Sequence, residues 1–199
     1  MEYPTLFTVG THYGMPEGIR LPELVIIHEF GHNYWQGMVA SNEFEESWLD
    51  EGINTYTELQ IMNHLYGPRS NFVDYLDVQI SDEHFSRLQF LLVPDNDPIV
   101  KNSWQYASGG SYTINSYQKR GCIFSHYITC SAKTLCGTFC EPILSAEIPA
   151  SEIAGFVDIA NEISGKNLQP FFDQALHHPD NGLQHRADIH PATPQQHGF

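Results

Sequence analysis

His28-Glu29-Phe30-Gly31-His32 and, further along, Glu51 in Trp48-Leu49-Asp50-Glu51-Gly52 are the residues whose types and spacing carry chemistry. Residues four apart share one face of a helix, so His28 and His32 project together and both imidazoles can grip one metal ion. Glu29 lies on the adjoining face, where its carboxylate reaches water at the ion without being a ligand. Glu51, from a second helix, completes the protein ligands and leaves one coordination position open. An open position marks a catalytic zinc, whereas a structural zinc is closed by four ligands. The pattern therefore predicts one Zn2+ ion held by His28, His32 and Glu51, and hydrolysis by metal-activated water.

The elements that must position these groups are partly legible. Tyr3 to Val9 reads as a short extended segment, followed by a turn-rich stretch through Gly10, Gly14, Pro16 and Gly18. Pro22 suits the first turn of a helix and Glu23 the positive end of its dipole. Leu24, Ile27, Gly31 and Trp35 then mark a helical stripe that runs to about Gln36. A second helix is expected from near Glu46 to Tyr66, stopped by Gly67-Pro68. Residues 70–94 alternate apolar and charged positions at roughly helical spacing, from Phe72, Tyr75, Leu76 and Ile80 to Phe85, Leu88 and Leu91. Ser108-Gly109-Gly110-Ser111 should lead into a helix containing Tyr117. Phe156 to Ile163 and Leu168 to Leu176 read as two more helices. Each ligating histidine has a ring nitrogen left over that needs a partner, and Glu58, seven residues after Glu51 on the same helical face, is the candidate, a solvated helix carboxylate being the competing reading.

Composition narrows the function classes. The 199 residues suit one domain, and 9 Lys and Arg against 24 Asp and Glu give a net charge of −15. Such a chain has no basic surface with which to displace counterions from phosphates, which disfavours a nucleic-acid partner. No apolar run is long enough to span a membrane, and no leader of basic and apolar residues opens the chain. Cys122, Cys130, Cys136 and Cys140 fall in one short stretch without paired zinc spacing.

The motifs together resemble those of the aminopeptidase N-like zinc metallopeptidases, the gluzincin family that also contains leukotriene hydrolase. That family's pattern is HExxH, eighteen residues, then Glu; here residues 33–50 separate His32 from Glu51. Trp48-Leu49-Asp50-Glu51-Gly52 resembles the family's W-L-N-E-G, with Asp in place of Asn. Met1-Glu2 resembles the end of its G-x-M-E-N exopeptidase loop, with Tyr3 for Asn. Ser116-Tyr117-Gln118-Lys119 resembles the segment carrying its catalytic tyrosine, and Leu168 to Leu176 the helix that closes its catalytic domain.

The resemblance implies a mainly α (α+β) zincin fold, a thermolysin-like catalytic lobe with a short N-terminal edge strand along the cleft. It implies a zinc aminopeptidase that removes N-terminal residues from peptide substrates. Glu29 would be the general base and Tyr117 the donor to the oxyanion, while Glu2 would bind the substrate's α-ammonium. It also implies a fragment of a longer enzyme, because family members carry a β-rich domain before the exopeptidase loop. The alternatives are a gluzincin endopeptidase, a hydrolase of another bond, and a truncated remnant that binds zinc without turnover.

Residues 1–176 are thus expected to form the peptidase domain, with an atypical segment at 120–150. There the helical pattern fails and the cysteines appear. Codons allowed for Phe124 through Ala146, read from the third base, can give an amphipathic string of helical period, so a frame change competes with simple divergence. Residues 177–199, rich in His, Pro and Gln, read as a disordered tail.

Overall fold

A computed structural model of the chain describes residues 1–10, 13–92, 97–118 and 153–177. The expectations for residues 120–150 and for the tail after His177 lie outside them. The described residues are mainly helical, and their strands form two small hairpins.

Helix α1 (Leu21–Trp35) carries Pro22 in its first turn and Glu23 near its positive end, as the sequence predicts. Helix α2 (Glu43–Tyr66) begins at Asn42, whose side chain accepts a hydrogen bond from the Phe44 amide at 3.2 Å. Its first turn is broken at Glu46, with φ −132° and ψ 52°, so the regular helix starts close to the expected place. It ends at Gly67, whose φ of 82° a side chain would resist.

α1 and α2 pack closely because position 31 has no side chain. A Cβ there would lie 1.9 Å from Oδ1 of Asn54 on α2. Asn54 cannot simply swing away, since its amide donates to the His28 carbonyl at 2.8 Å. Gly31→Ala sets about 1 kcal/mol of helix propensity against overpacking of ~1–3 kcal/mol and the loss of a buried hydrogen bond. The clash wins. We expect a net destabilisation of about 1–2 kcal/mol in denaturant unfolding, whereas a more stable variant would show that the contact is slack.

The amino-terminal strand is a hairpin rather than a single extended run. β1 (Glu2–Tyr3) pairs antiparallel with β2 (Leu6–Phe7), and Thr5 takes a positive φ of 64° in the turn. Phe7 meets Phe30 of α1 edge-on, with ring centroids 6.2 Å apart, which lays the hairpin along that helix.

Residues 70–94 also depart from the helical reading. β3 (Val73–Tyr75) and β4 (Val78–Ile80) form a second hairpin before α3 (Asp82–Leu92). Leu76 and Asp77 both have positive φ, 50° and 63°, as a two-residue hairpin turn requires. An antiparallel bridge from Ile19 to Val73, and the Arg20 amide donating to the Phe72 carbonyl at 3.0 Å, tie this hairpin to the start of α1.

Tyr117 sits on a π-helical turn (Ile114–Gln118) that follows α4 (Gly109–Thr113), not on a regular helix. Two helices complete the described chain, α5 (Ile153–Ser164) and α6 (Gln169–His177). The core lies between them and α2. Trp48 and Phe156 meet edge-on at 5.6 Å, Phe156 and Phe172 at 5.7 Å, and Trp35, Ile99 and Val157 fill in around them. Burying these aromatic rings against α2 fixes the helix that carries Glu51. No helix of the described residues is long and apolar enough to cross a membrane.

Candidate metal centre

Three side chains converge where α1 faces α2. His28 Nε2 and His32 Nε2 lie 3.1 Å apart, and each lies 3.1 Å from Glu51 Oε2. Tetrahedral ligands at ~2.0–2.1 Å from a zinc ion are separated by about 3.3 Å. The observed triangle matches that edge closely, so the donor set fits one zinc.

The other ring nitrogens support the same conclusion. His28 Nδ1 is 2.8 Å from Glu58 Oε2, and His32 Nδ1 is 2.7 Å from Asp50 Oδ1. Carboxylates accept, so each Nδ1 carries the proton and each Nε2 turns a lone pair towards the centre. Glu58 is the partner that the helical spacing pointed to. Asp50 stands in the sequence only as a departure from the family's W-L-N-E-G, and no local signal there points to its place on His32.

The local electrostatics favour positive charge here. Burial disfavours a charged His28, but hydrogen bonds to Glu51 and Glu58 outweigh it and raise its pKa to about 9. For His32, burial is likewise outweighed, by Asp50 and Glu51, and its pKa rises to about 10. Burial pushes Glu51 up, yet its two histidine partners bring it down to about 2. Asp50 and Glu58 both end above the usual carboxylate range because burial dominates there. Two Nε2–H groups cannot point into a gap of 3.1 Å, whereas one divalent cation can occupy it.

Protons therefore compete with a metal ion at these imidazoles below about pH 9. Metal binding releases them, so affinity rises with pH while the histidines are still protonated. We expect zinc affinity, measured by chelator competition, to keep climbing from pH 6 to 8 by about tenfold or more per unit. A plateau at pH 7 would indicate imidazoles of ordinary basicity. Glu58→Ala should weaken zinc about 10- to 100-fold in the same assay, by freeing the His28 ring; unchanged affinity would contradict that role for Glu58.

The remaining residues singled out from the sequence lie around the triangle. Glu29, half-buried, points its carboxylate at the Met1 α-ammonium, which also lies 4.0 Å from Glu2 Oε2. Glu2 lies on the other histidine's side, with ligating atoms of Glu2, His32 and Asp50 all within 4.8 Å of one another. Tyr117 stacks on His28, with ring centroids 5.4 Å apart, and its hydroxyl donates to Glu51 Oε1. Burial and the Glu51 charge hold the phenol's pKa far above its ordinary value, so it stays a donor. Ser47 on α2 and Ser116 beside Tyr117 share a buried hydrogen bond of 3.0 Å that anchors the π-helical turn.

Asp97 is a further positioning residue that the sequence did not reveal. It accepts hydrogen bonds from the Ala107 amide at 2.8 Å and the Ser111 hydroxyl at 2.6 Å, and so ties its loop to α4, just before Tyr117.

The chain is similar to known peptidases. Rat (Rattus norvegicus) "Aminopeptidase B" is 25% identical over 112 residues, which are 51% of this chain and 16% of that protein. The human (Homo sapiens) "Aminopeptidase B" is 24% identical over the same shares of both chains. Mouse (Mus musculus) "Aminopeptidase RNPEPL1" is 30% identical over 95 residues, 42% of this chain and 13% of that one. The chain thus spans a small part of the length of these relatives. No solved structure gives a significant match. The model of the peptidase family M1 domain matches residues 12–174, most of the chain, and the triangle lies inside that stretch. The chain belongs to peptidase family M1.

Proposed function

We propose that the chain is the catalytic part of a zinc aminopeptidase, a zincin-like lobe that hydrolyses N-terminal residues from peptides. The observation that carries this reading is the 3.1 Å triangle of His28, His32 and Glu51, with Glu29 and Glu2 beside it. Bound zinc supplies a Lewis acid that brings the pKa of water from ~15.7 to about 7, so a nucleophile exists at neutral pH.

The remaining chemistry falls to the chain's own residues. Glu29 is not one of the three converging ligands, and its carboxylate takes the proton of the attacking water and passes it to the departing amine. Tyr117 remains protonated and so offers an O–H to the oxyanion that forms as the carbonyl is attacked. Glu2 supplies the negative charge that fixes the substrate's α-ammonium, which makes the reaction run from the amino end. The residues from 1 to 176 form the peptidase domain in this reading.

The test compares peptides that differ only at their amino end. Zinc-loaded chain should release the first residue of a free peptide and leave the N-acetylated peptide intact. Cleavage of both at similar rates would make the enzyme an endopeptidase, and stoichiometric zinc without hydrolysis of either would make it a non-catalytic metal-binding domain.

A further inference from the structure

A cavity of about 340 Å³ lies beside the triangle, with His28, Glu29 and Tyr117 in its lining and neither His32 nor Glu2. The volume is in the range of small-ligand sites. Much of its wall is apolar, built from Leu21, Leu24, Val25, Phe72 and Phe85, and three of its polar groups, on Asp82, Gln118 and Thr55, have no hydrogen-bond partner among the described residues. Asp82, the first residue of α3, is only 6% exposed and its carboxylate accepts no hydrogen bond among the described residues. Gln118 Oε1 and Thr55 Oγ1, which line the same cavity, are also buried without a hydrogen-bond partner.

Buried acceptors without donors are costly, and a buried carboxylate more so, unless something that enters the cavity completes them. Burial and the neighbouring Glu58 charge push the Asp82 carboxyl up to about 7, outweighing the opposite pull of His28. What the cavity lacks is a long apolar stem ending in a cationic donor. Lysine and arginine side chains have that form.

We propose that this cavity binds the side chain of the substrate's second residue and selects lysine or arginine there, with Asp82 and Gln118 receiving the charged head. The orientation rests on the aminopeptidase reading. With the α-ammonium at Glu2, on the His32 side, the chain beyond the scissile bond leaves past His28 and Glu29, which line the cavity. The first residue's side chain remains on the other side, so Asp82 reads the residue that follows the cut.

The experiment measures binding by calorimetry to zinc-loaded full chain carrying Glu29→Gln, which removes turnover from the readout. The probes are Leu-Arg-Gly and Leu-norleucine-Gly, alike in length and differing in the charged head. We expect the arginine peptide to bind about tenfold or more tightly. In Glu29→Gln/Asp82→Asn that ratio should fall to within about threefold. Equal affinity for the two peptides, or a preference that survives Asp82→Asn, would overturn the proposal. Should the double variant fail to fold, the two peptides compared on Glu29→Gln alone decide the matter, with Leu-Glu-Gly expected to bind weakest. Hydrolysis by the unsubstituted chain separates the two claims: an arginine preference in binding without turnover would leave the cavity assignment standing and remove the hydrolytic one, and turnover without that preference would do the reverse.

Discussion

Glu29→Gln is expected to keep one zinc per chain and to lower peptide turnover by about 10²- to 10⁴-fold. The substitution keeps shape and removes only the ability to accept a proton. Glu29 is not among the three converging ligands, its carboxylate pairs with Met1 rather than with a ligand, and its side chain is 17% exposed, so the metal and the core should tolerate its loss. Zinc content by atomic absorption, measured beside hydrolysis of a free peptide, checks both halves. Turnover near that of the unsubstituted chain would remove Glu29 from the proton transfer. Loss of zinc would instead make it part of the metal's support.

His32→Ala should differ in kind. It removes one of three ligands and, with it, the hydrogen bond that Asp50 Oδ1 accepts from Nδ1–H at 2.7 Å. Asp50 has a side chain only 1% exposed, so its carboxylate is stranded in the interior. Breaking a buried pair from one side costs ~3–5 kcal/mol. We therefore expect loss of both stoichiometric zinc and activity, and a lower unfolding midpoint even in metal-free protein. Adding Asp50→Asn to His32→Ala should recover part of that stability by removing the stranded charge, without restoring zinc. A singly substituted chain that still holds zinc at full stoichiometry would place the metal elsewhere.

Much of this arrangement was legible because it is local. The four-residue spacing of His28 and His32 on one helix, Pro22 at its start and Gly67-Pro68 after the next helix are short-range signals. They located α1, α2 and the triangle. The second hairpin was not legible, since Phe72, Tyr75, Leu76 and Ile80 also satisfy a helical period. The positive φ of Leu76 and Asp77 and the bridge from Val73 to Ile19 decide the matter, and that bridge joins residues far apart in sequence. The same reason hid Asp50 on His32, Asn54 behind Gly31 and Asp82 in the cavity. Each depends on how two elements pack, and Tyr117 was placed on a helix because a π-helical turn has no local signature.

The central claim is that two imidazoles and a carboxylate hold one zinc. X-ray absorption at the zinc edge of the loaded chain tests it most directly. The account predicts nitrogen and oxygen neighbours at about 2.0–2.1 Å, with two imidazole rings in the outer scattering. A shell of sulfur at about 2.3 Å would put the metal on the cysteines and contradict it.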